Sequence, residues 1–95
     1  MEQWHVYIAE CADHSLYTGV AADVARRIKE HNESPRGARY TKSRRPVALR
    51  YAEPHPTKGA ALTREAALKR LSRKEKLDLI KGQAGQGTPR APRPR

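Results

Sequence analysis

The first apolar stretch of the chain, residues 4–11, is rich in aromatic and β-branched side chains, which is typical of a β-strand. A second such stretch covers residues 16–20, after a polar turn in which Asp13 can hydrogen bond its own backbone. Because the connection is so short, the two strands must be antiparallel neighbours. The pattern therefore predicts an N-terminal β-hairpin.

Residues 22–32 change to a helical period. Val24 and Ile28 stand four residues apart, with charged residues between them. Asp23 falls in the first turn, where a negative charge suits the helix dipole, and Asn32 offers a place for the helix to end. We expect an amphipathic helix in this part of the chain.

The next segment, residues 34–45, has no apolar periodicity and is expected to be a loop. Residues 46–52 then alternate between apolar and polar, which predicts a third strand with Pro46 as its first residue. The apolar positions of this strand are Val47, Leu49 and Tyr51.

Two prolines, Pro54 and Pro56, interrupt the chain after the third strand. Thr57 is a suitable N-cap for a helix that runs to about Leu71. The expected apolar stripe of this helix consists of Ala61, Leu62, Leu68 and Leu71.

A capping box at residues 72–75 predicts that a separate short helix starts there, and Gly82 is well placed to end it. From residue 82 onward Gly, Pro, Gln and Ala predominate without periodicity, so we expect residues 82–95 to form a disordered tail. The folded domain is then residues 1–81, with the order β-β-α-β-α-α. This order predicts an α+β fold in which a small sheet of three strands is flanked by helices.

The length of 95 residues allows one small domain. No apolar run approaches the roughly 18 residues that a membrane span needs, which excludes a transmembrane protein. The single cysteine, Cys11, cannot form an internal disulfide, so the chain suits the reducing cytoplasm. The formal net charge of +10 favours a polyanionic partner, of which nucleic acid is the commonest.

The positive charge is concentrated in residues 36–50, which contain no acidic residue. A basic segment of this kind predicts salt-dependent contacts with the nucleic-acid backbone, and Tyr40 within it could stack on an unpaired base. A solvated basic loop is the alternative interpretation. The expected nucleic-acid-binding residues are Arg36, Arg39, Tyr40, Lys42, Arg44 and Arg45.

Five polar side chains are brought towards one another by the expected elements. Tyr7 and Tyr17 lie on the two strands of the hairpin, and Arg27 and His31 are four residues apart on one face of the first helix. Glu65 falls on the inward stripe of its helix, where a carboxylate is costly unless a cation meets it. Taken singly, each has an ordinary explanation, such as a packed ring, a solvated charge or, for Glu65, an ion pair four residues along the helix.

Together, these residues resemble the GIY-YIG nuclease superfamily. The resemblance is carried by Val6-Tyr7-Ile8, Tyr17-Thr18-Gly19, Arg27 and the late helical Glu65, in this order and at these spacings. It covers about residues 3–81 and is greatest to the small stand-alone bacterial members, the UPF0213-like proteins. Further supporting runs are His31-Asn32, Tyr40-Thr41, Arg44-Arg45-Pro46-Val47 and Arg64-Glu65-Ala66-Ala67.

The resemblance implies a divalent-metal-dependent endonuclease that hydrolyses phosphodiester bonds. Glu65 would hold one Mg²⁺ or Mn²⁺ ion, and Arg27 would bind a phosphate oxygen. Tyr7 or Tyr17 would be the general base while the other tyrosine orients water or phosphate, and His31 would carry a proton or position Arg27.

Three departures from the family pattern and one condition on the hairpin register qualify this interpretation. The first motif reads His5-Val6-Tyr7 rather than Gly-Ile-Tyr, and His14 stands in a turn where family members often have Gly. Ala67 occupies a position where some branches carry Asn, which predicts weaker activity. Tyr7 and Tyr17 can lie on the same face of the sheet only if the numbers of two facing residues in the hairpin add up to an even number, as they do with a three-residue loop.

We expect the substrate to be single-stranded or branched DNA, because the chain has no second domain or recognition helix for reading the major groove. One alternative is a binding module of the same fold in which catalysis is lost or depends on a partner. Another is a protein that binds structured RNA through its charge. The sequence does not distinguish the two tyrosines, and it carries no signal for an oligomeric state.

Overall fold

The computed structural model describes residues 3–34 and 39–85. Three antiparallel strands form one sheet in the order β2-β1-β3, and helices flank it, so the fold is α+β as expected. The strands are β1 (Trp4–Glu10), β2 (Leu16–Ala21) and β3 (Ala48–His55). The helices are α1 (Val24–Glu33), α2 (Arg39–Lys42), α3 (Lys58–Lys69) and α4 (Arg73–Gly85).

The β1–β2 hairpin has the register that places both tyrosines on one face. Tyr7 pairs with Gly19 and Ala9 pairs with Tyr17, so the paired residue numbers have an even sum. The three-residue loop is closed by hydrogen bonds from the Cys11 amide to Ser15 O and from the His14 amide to Cys11 O. His14 takes the left-handed conformation, with φ 68°, that such loops need at this position.

The two faces of the sheet pack against different helices. On one face, Tyr7, Ala9 and Cys11 are buried against the α1 residues Val24 and Ile28. On the other, α3 and α4 cover the sheet, and the residues packed there include Val6, Ile8, Ala61, Leu68, Leu79 and Ile80. The side chains on the first face of β1 therefore meet those of α1, which is where the candidate site is built.

The third strand differs from its expected form. It begins at Ala48 and continues through Pro54 to His55, so Pro54 does not interrupt it. Tyr51 pairs with Ile8 while Leu49 pairs with Ala9, and the register shift between these pairs breaks the strict alternation of the strand. Leu49 is consequently exposed rather than part of the core. Proline is tolerated because β3 is an edge strand.

The helices also differ from expectation at three points. Residues 39–42 of the expected loop form the helical turn α2. Leu62 is exposed and is not part of the apolar stripe of α3, whose buried residues are Ala61 and Leu68. The last helix continues through Gly82 to Gly85, so residues 82–85 are helical rather than part of the expected tail. The rest of that tail, residues 86–95, lies outside the described residues.

The predicted N-cap Thr57 and the capping box before α4 are confirmed, whereas Asp23, expected in the first turn of α1, is instead its N-cap. The Asp23 and Thr57 side chains accept from the amides of Arg26 and Ala60 at the starts of α1 and α3. Ser72 and Glu75 form a reciprocal capping box before α4, with distances of 3.1 and 2.8 Å. These caps separate α3 from α4. Within residues 3–34 and 39–85, no helix is long and apolar enough to cross a bilayer.

A polar cluster on β3 anchors α3 to the sheet. The Glu53 carboxylate accepts hydrogen bonds from the Tyr51 hydroxyl and the Arg64 guanidinium, and His55 Nε2 lies 2.7 Å from it. Burial alone would raise the pKa of Glu53, but these hydrogen bonds outweigh burial and lower it. The pair Glu53–Arg64 thereby fixes the turn of α3 that carries the next residue, Glu65.

Candidate active site

The Tyr7 hydroxyl and His31 Nε2 form a buried hydrogen bond of 2.7 Å between β1 and α1. His31 is completely buried and Tyr7 is 1% exposed. Both residues were expected in the site, and the structure brings them into direct contact. The hydrogen bond therefore links the sheet to the first helix at the centre of the candidate site.

Gly19 makes room for the Tyr7 side chain. A Cβ at position 19 would lie 2.6 Å from the Tyr7 hydroxyl oxygen and 2.7 Å from the ring carbon that bears it. Real side chains do not approach so closely, so the phenol lies across the glycine on the neighbouring strand. Glycine in the middle of β2 is thus explained by close approach rather than by backbone conformation.

Arg27 lies one turn before His31 on α1 and reaches the same hydroxyl. Its guanidinium hydrogen bonds Tyr7, and its Nη1 donates to Glu30 at 2.9 Å. The side chain of Arg27 is 27% exposed. A cation held on both sides but still in contact with solvent is suited to binding an oxyanion.

Tyr17 completes the group on this face of the sheet. Its ring centroid lies 5.2 Å from that of His31, edge to face, and 6.3 Å from that of Tyr7. Tyr17 is half-buried, whereas Tyr7 is closed off from solvent. Of the two tyrosines, Tyr17 is therefore the one with access to a bound molecule.

The site favours neutral forms of its two buried groups. Burial lowers the pKa of His31 to about 4, and the nearby charges of Arg27 and Arg45 act in the same direction while Glu30 opposes them. Burial and Tyr17 raise the pKa of Tyr7 above its ordinary value, although Arg27 acts in the opposite direction. At neutral pH, the pair is therefore an uncharged phenol beside an uncharged imidazole.

Thr41 is a part of the site that was not predicted from the sequence. It lies on α2, is completely buried, and its Oγ1 is 2.8 Å from His31 Nδ1. The only signal in the sequence was its place in the run Tyr40-Thr41, inside a segment interpreted as a basic loop. A contact between two segments ten residues apart depends on how the chain folds back and has no local pattern.

Glu65 lies on α3, which packs against β1 and β2. Its side chain is 18% exposed and pairs with Lys69 at 3.3 Å, which is the helical ion pair considered as the alternative. Its negative charge also contributes to raising the pKa of Tyr7. Glu65 is thus electrostatically coupled to Tyr7 at the centre of the site.

A metal ion at this site would have few protein ligands. Among the described residues, no three His, Cys, Asp or Glu side chains are grouped as a metal site. A single half-buried carboxylate is nevertheless compatible with Mg²⁺ or Mn²⁺, since hard ions prefer oxygen ligands and Mg²⁺ retains several waters. Glu65 fits such an ion, and Lys69, whose side chain is 55% exposed, can move away from it.

Some residues of the basic segment make contacts within the fold, and others are exposed to solvent. Arg44 pairs with Asp13 in the hairpin loop at 3.1 Å. Arg45 donates to the carbonyls of His31 and Ser34 at the end of α1, a structural use of its guanidinium. Lys42 is exposed. Of the other residues expected to bind nucleic acid, Arg36 and the side chains of Arg39 and Tyr40 lie outside the described part of the structure.

Comparison with known proteins gives the family. The sequence model of the protein family described as the GIY-YIG catalytic domain matches residues 3–78. The chain belongs to the GIY-YIG family. A UPF0213 protein of Desulfotalea psychrophila is 54% identical over 78 residues, covering 82% of this chain and 71% of the relative. A UPF0213 protein of Syntrophus aciditrophicus is 49% identical over 81 residues, covering 85% and 93%.

Two solved structures share the GIY-YIG fold of this chain. The solution structure of a UPF0213 protein from Bacillus halodurans has a TM-score of 0.52 and 44% identity, covering 85% of this chain and 84% of its own. A protein from E. faecalis has a TM-score of 0.57 and 37% identity, covering 86% and 90%. Membership of this nuclease family indicates a nucleic-acid substrate and a divalent metal.

Proposed function

We propose that this GIY-YIG protein is a divalent-metal-dependent endonuclease that hydrolyses DNA phosphodiester bonds. The observation that carries the proposal is the buried Tyr7 hydroxyl, to which both His31 and Arg27 are hydrogen bonded, with Tyr17 beside it. Such a group is unnecessary for a core that only packs. A guanidinium can bind a phosphate oxygen, and here it lies in a group that includes a half-buried phenol, which supports the proposal.

Arg27 is proposed to bind a non-bridging phosphate oxygen. Its contacts with Tyr7 and Glu30 fix the plane of the guanidinium before the substrate arrives. A guanidinium carries five N–H donors, so these contacts are compatible with further bonds to an oxyanion. The positive charge would stabilise the negative charge that develops on the phosphate.

Tyr17 is proposed as the general base and Tyr7 as the residue that orients Arg27. A base must reach the attacking water, and Tyr17 has access to solvent while Tyr7 does not. Transfer of the Tyr7 proton to His31 is also unfavourable. The pKa of the Tyr7 phenol is raised and that of the His31 imidazole is lowered to about 4, so both groups favour their neutral forms. Tyr7 therefore remains a neutral donor to His31.

Glu65 is proposed to hold one Mg²⁺ or Mn²⁺ ion. A bound ion would supply positive charge for the leaving oxygen and for water activation. A free phenol has a pKa near 10, so ionising a tyrosine at pH 7 costs about 4 kcal/mol. The bound ion would have to offset part of this cost.

Single-stranded or branched DNA, as in repair intermediates, is the proposed substrate, and the cytoplasm the proposed location. The face of α1 that does not pack on the sheet carries Glu30 and Glu33, and carboxylates are unfavourable in the negatively charged major groove, so α1 is poorly suited to reading a duplex. The cytoplasm is proposed because Cys11 is a buried free thiol.

A second candidate function is supported by the Glu65–Lys69 ion pair, which engages the carboxylate proposed to hold the metal. Such a pair is expected of a nucleic-acid-binding module of the same fold whose catalysis is lost or depends on a partner. Such a module would bind DNA or structured RNA without metal-dependent turnover.

One experiment separates the two. End-labelled single-stranded, duplex and branched DNA and a structured RNA are incubated with the protein in Mg²⁺, in Mn²⁺ and with chelator, and binding is measured in parallel. The endonuclease predicts metal-dependent products that favour single-stranded or branched DNA and disappear in Glu65→Ala. Binding to every substrate without products would instead establish the binding module.

A further inference from the structure

We propose that Thr41 is a positioning residue: by accepting a hydrogen bond from Nδ1–H of His31, it keeps the nitrogen that faces Tyr7 unprotonated and thereby maintains the orientation of Arg27. This inference deepens the proposed function, on which its catalytic consequence rests. The hydrogen bonding itself can be tested without any activity. It gives a role to a buried side chain that lies outside the group of five expected residues.

Four side chains form one hydrogen-bonded chain across three elements. Thr41 Oγ1 on α2 lies 2.8 Å from His31 Nδ1 on α1. His31 Nε2 lies 2.7 Å from the Tyr7 hydroxyl on β1. The same hydroxyl is hydrogen bonded by the Arg27 guanidinium. Thr41, His31 and Tyr7 are each no more than 1% exposed, so water does not compete for these bonds.

The direction of the hydrogen bonds in this chain is set at the arginine end. A guanidinium can only donate, so the Tyr7 oxygen is the acceptor for Arg27. The hydroxyl proton of Tyr7 then points to a lone pair, which His31 Nε2 provides when it carries no proton. A neutral imidazole with a bare Nε2 has its proton on Nδ1, and that proton is donated to Thr41 Oγ1.

The other tautomer would disturb the Arg27 contact. A proton on Nε2 would make His31 a second donor to the Tyr7 oxygen, in competition with Arg27. The hydroxyl proton of Tyr7 would also lose the imidazole as its acceptor. Removing the Thr41 hydroxyl, which accepts from Nδ1–H, is therefore expected to weaken the hydrogen bond between Tyr7 and Arg27, although Thr41 is hydrogen bonded to neither of them in this chain.

Thr41 is held rigidly enough to select a tautomer. Its carbonyl accepts from the Arg44 amide at 2.9 Å, which closes the turn at the end of α2. Arg45 then bonds the carbonyls of His31 and Ser34, and Asn32 makes two hydrogen bonds with the Val47 backbone. These contacts fasten residues 41–47 to the end of the helix that carries His31.

The direct test is the protonation of the two imidazole nitrogens, measured by ¹⁵N NMR on the full chain at pH 7. We expect His31 to carry its proton on Nδ1 in the wild-type protein. In Thr41→Val, which preserves shape and removes the hydroxyl, we expect a large part of the population to carry it on Nε2. Thr41→Ser, which restores an acceptor, is expected to return the wild-type pattern.

His14, whose side chain is 78% exposed, provides an internal control because its tautomer should be the same in all three proteins. A proton on Nε2 of His31 in the wild-type protein would overturn the proposal, even if Thr41→Val failed to fold. A Thr41→Val spectrum identical to the wild type would overturn it as well.

Activity then tests the consequence for Arg27. We expect Thr41→Val to lower kcat for DNA cleavage by about 10- to 100-fold, with KM nearly unchanged and with recovery in Thr41→Ser. An unchanged kcat together with the tautomer shift would overturn the part of the proposal that concerns Arg27. Absence of cleavage in the wild-type protein would refute the proposed function, while the NMR result would still decide the role of Thr41.

Discussion

Tyr7 and Gly19 face each other across the β1–β2 hairpin, and the phenol of Tyr7 occupies the space that a side chain at position 19 would need. The glycine therefore determines where the hydroxyl lies. Since His31 and Arg27 both bind that hydroxyl, the geometry of the whole site depends on the absence of one Cβ atom.

Gly19→Ala is expected to lower the free energy of unfolding by about 1 to 3 kcal/mol, the usual cost of overpacking a buried site. The measurement is urea denaturation followed by circular dichroism. Gly82→Ala is the matched control, because a Cβ there meets nothing within 4 Å. It should stabilise α4 by up to about 1 kcal/mol. Equal stability of Gly19→Ala and the wild type would show that the phenol does not lie across the glycine.

The pH dependence of stability should report the burial of His31. Its pKa falls from 6.5 to about 4 on folding, so the unfolded chain binds the extra proton between these values. The contribution of this residue to the free energy of unfolding should therefore be highest above pH 6.5. As the pH falls towards 4, protonation of His31 in the unfolded chain should lower it by up to about 3 kcal/mol. Urea denaturation at pH 7 and pH 4.5 measures the loss.

His31→Gln should be less stable at pH 7 but should lose less stability on acidification than the wild type does. His14→Asn, at an exposed position, should keep the wild-type pH dependence. If His31→Gln and the wild type lost the same stability between pH 7 and pH 4.5, His31 would not be a neutral buried group.

The two tyrosines should differ in what their hydroxyls do. Tyr17→Phe is expected to lower single-turnover cleavage by at least about 100-fold with little change in Tm, as for loss of a general base. Tyr7→Phe should also reduce cleavage, and it should lower the free energy of unfolding by about 1 to 3 kcal/mol because the buried His31 Nε2 loses its partner. Near-normal cleavage by Tyr17→Phe would contradict the role of Tyr17 as general base and would make Tyr7 the candidate for that role.

Lys42 and Arg45 are neighbours in the basic segment but are expected to contribute differently. Lys42→Ala should leave Tm unchanged and reduce the slope of log affinity for DNA against log salt by about 1. Arg45→Lys keeps the charge but loses the paired donors to His31 O and Ser34 O. It should lower the free energy of unfolding by about 1 kcal/mol. A stable Arg45→Lys with weakened DNA binding would contradict this division.

Local signals predicted much of the fold. The hairpin, the N-cap Thr57 and the capping box before α4 depend on neighbouring residues, and all of them are present. The register condition on the two tyrosines followed from the alternation of side chains along a strand, and the three-residue loop satisfies it.

Tertiary contacts account for what was missed. The register shift beside Ala9 exposes Leu49, and no residue in the strand marks it. Arg45 reads as a surface cation in the sequence, but its partners are carbonyls at the end of another element. The role of Thr41 also depends on a tertiary contact, because its partner His31 is brought to it only when residues 41–47 fold back on α1.

The most direct test of the proposed nuclease is single-turnover cleavage of an end-labelled single-stranded oligonucleotide by the wild type and by Glu65→Ala, each in Mg²⁺ and in chelator. Asp78→Asn, which changes an exposed carboxylate on α4, is the matched control. We expect metal-dependent cleavage by the wild type and Asp78→Asn, and its loss in Glu65→Ala with DNA affinity retained. Equal cleavage by Glu65→Ala, or products that persist in chelator, would contradict the proposed metal-dependent mechanism.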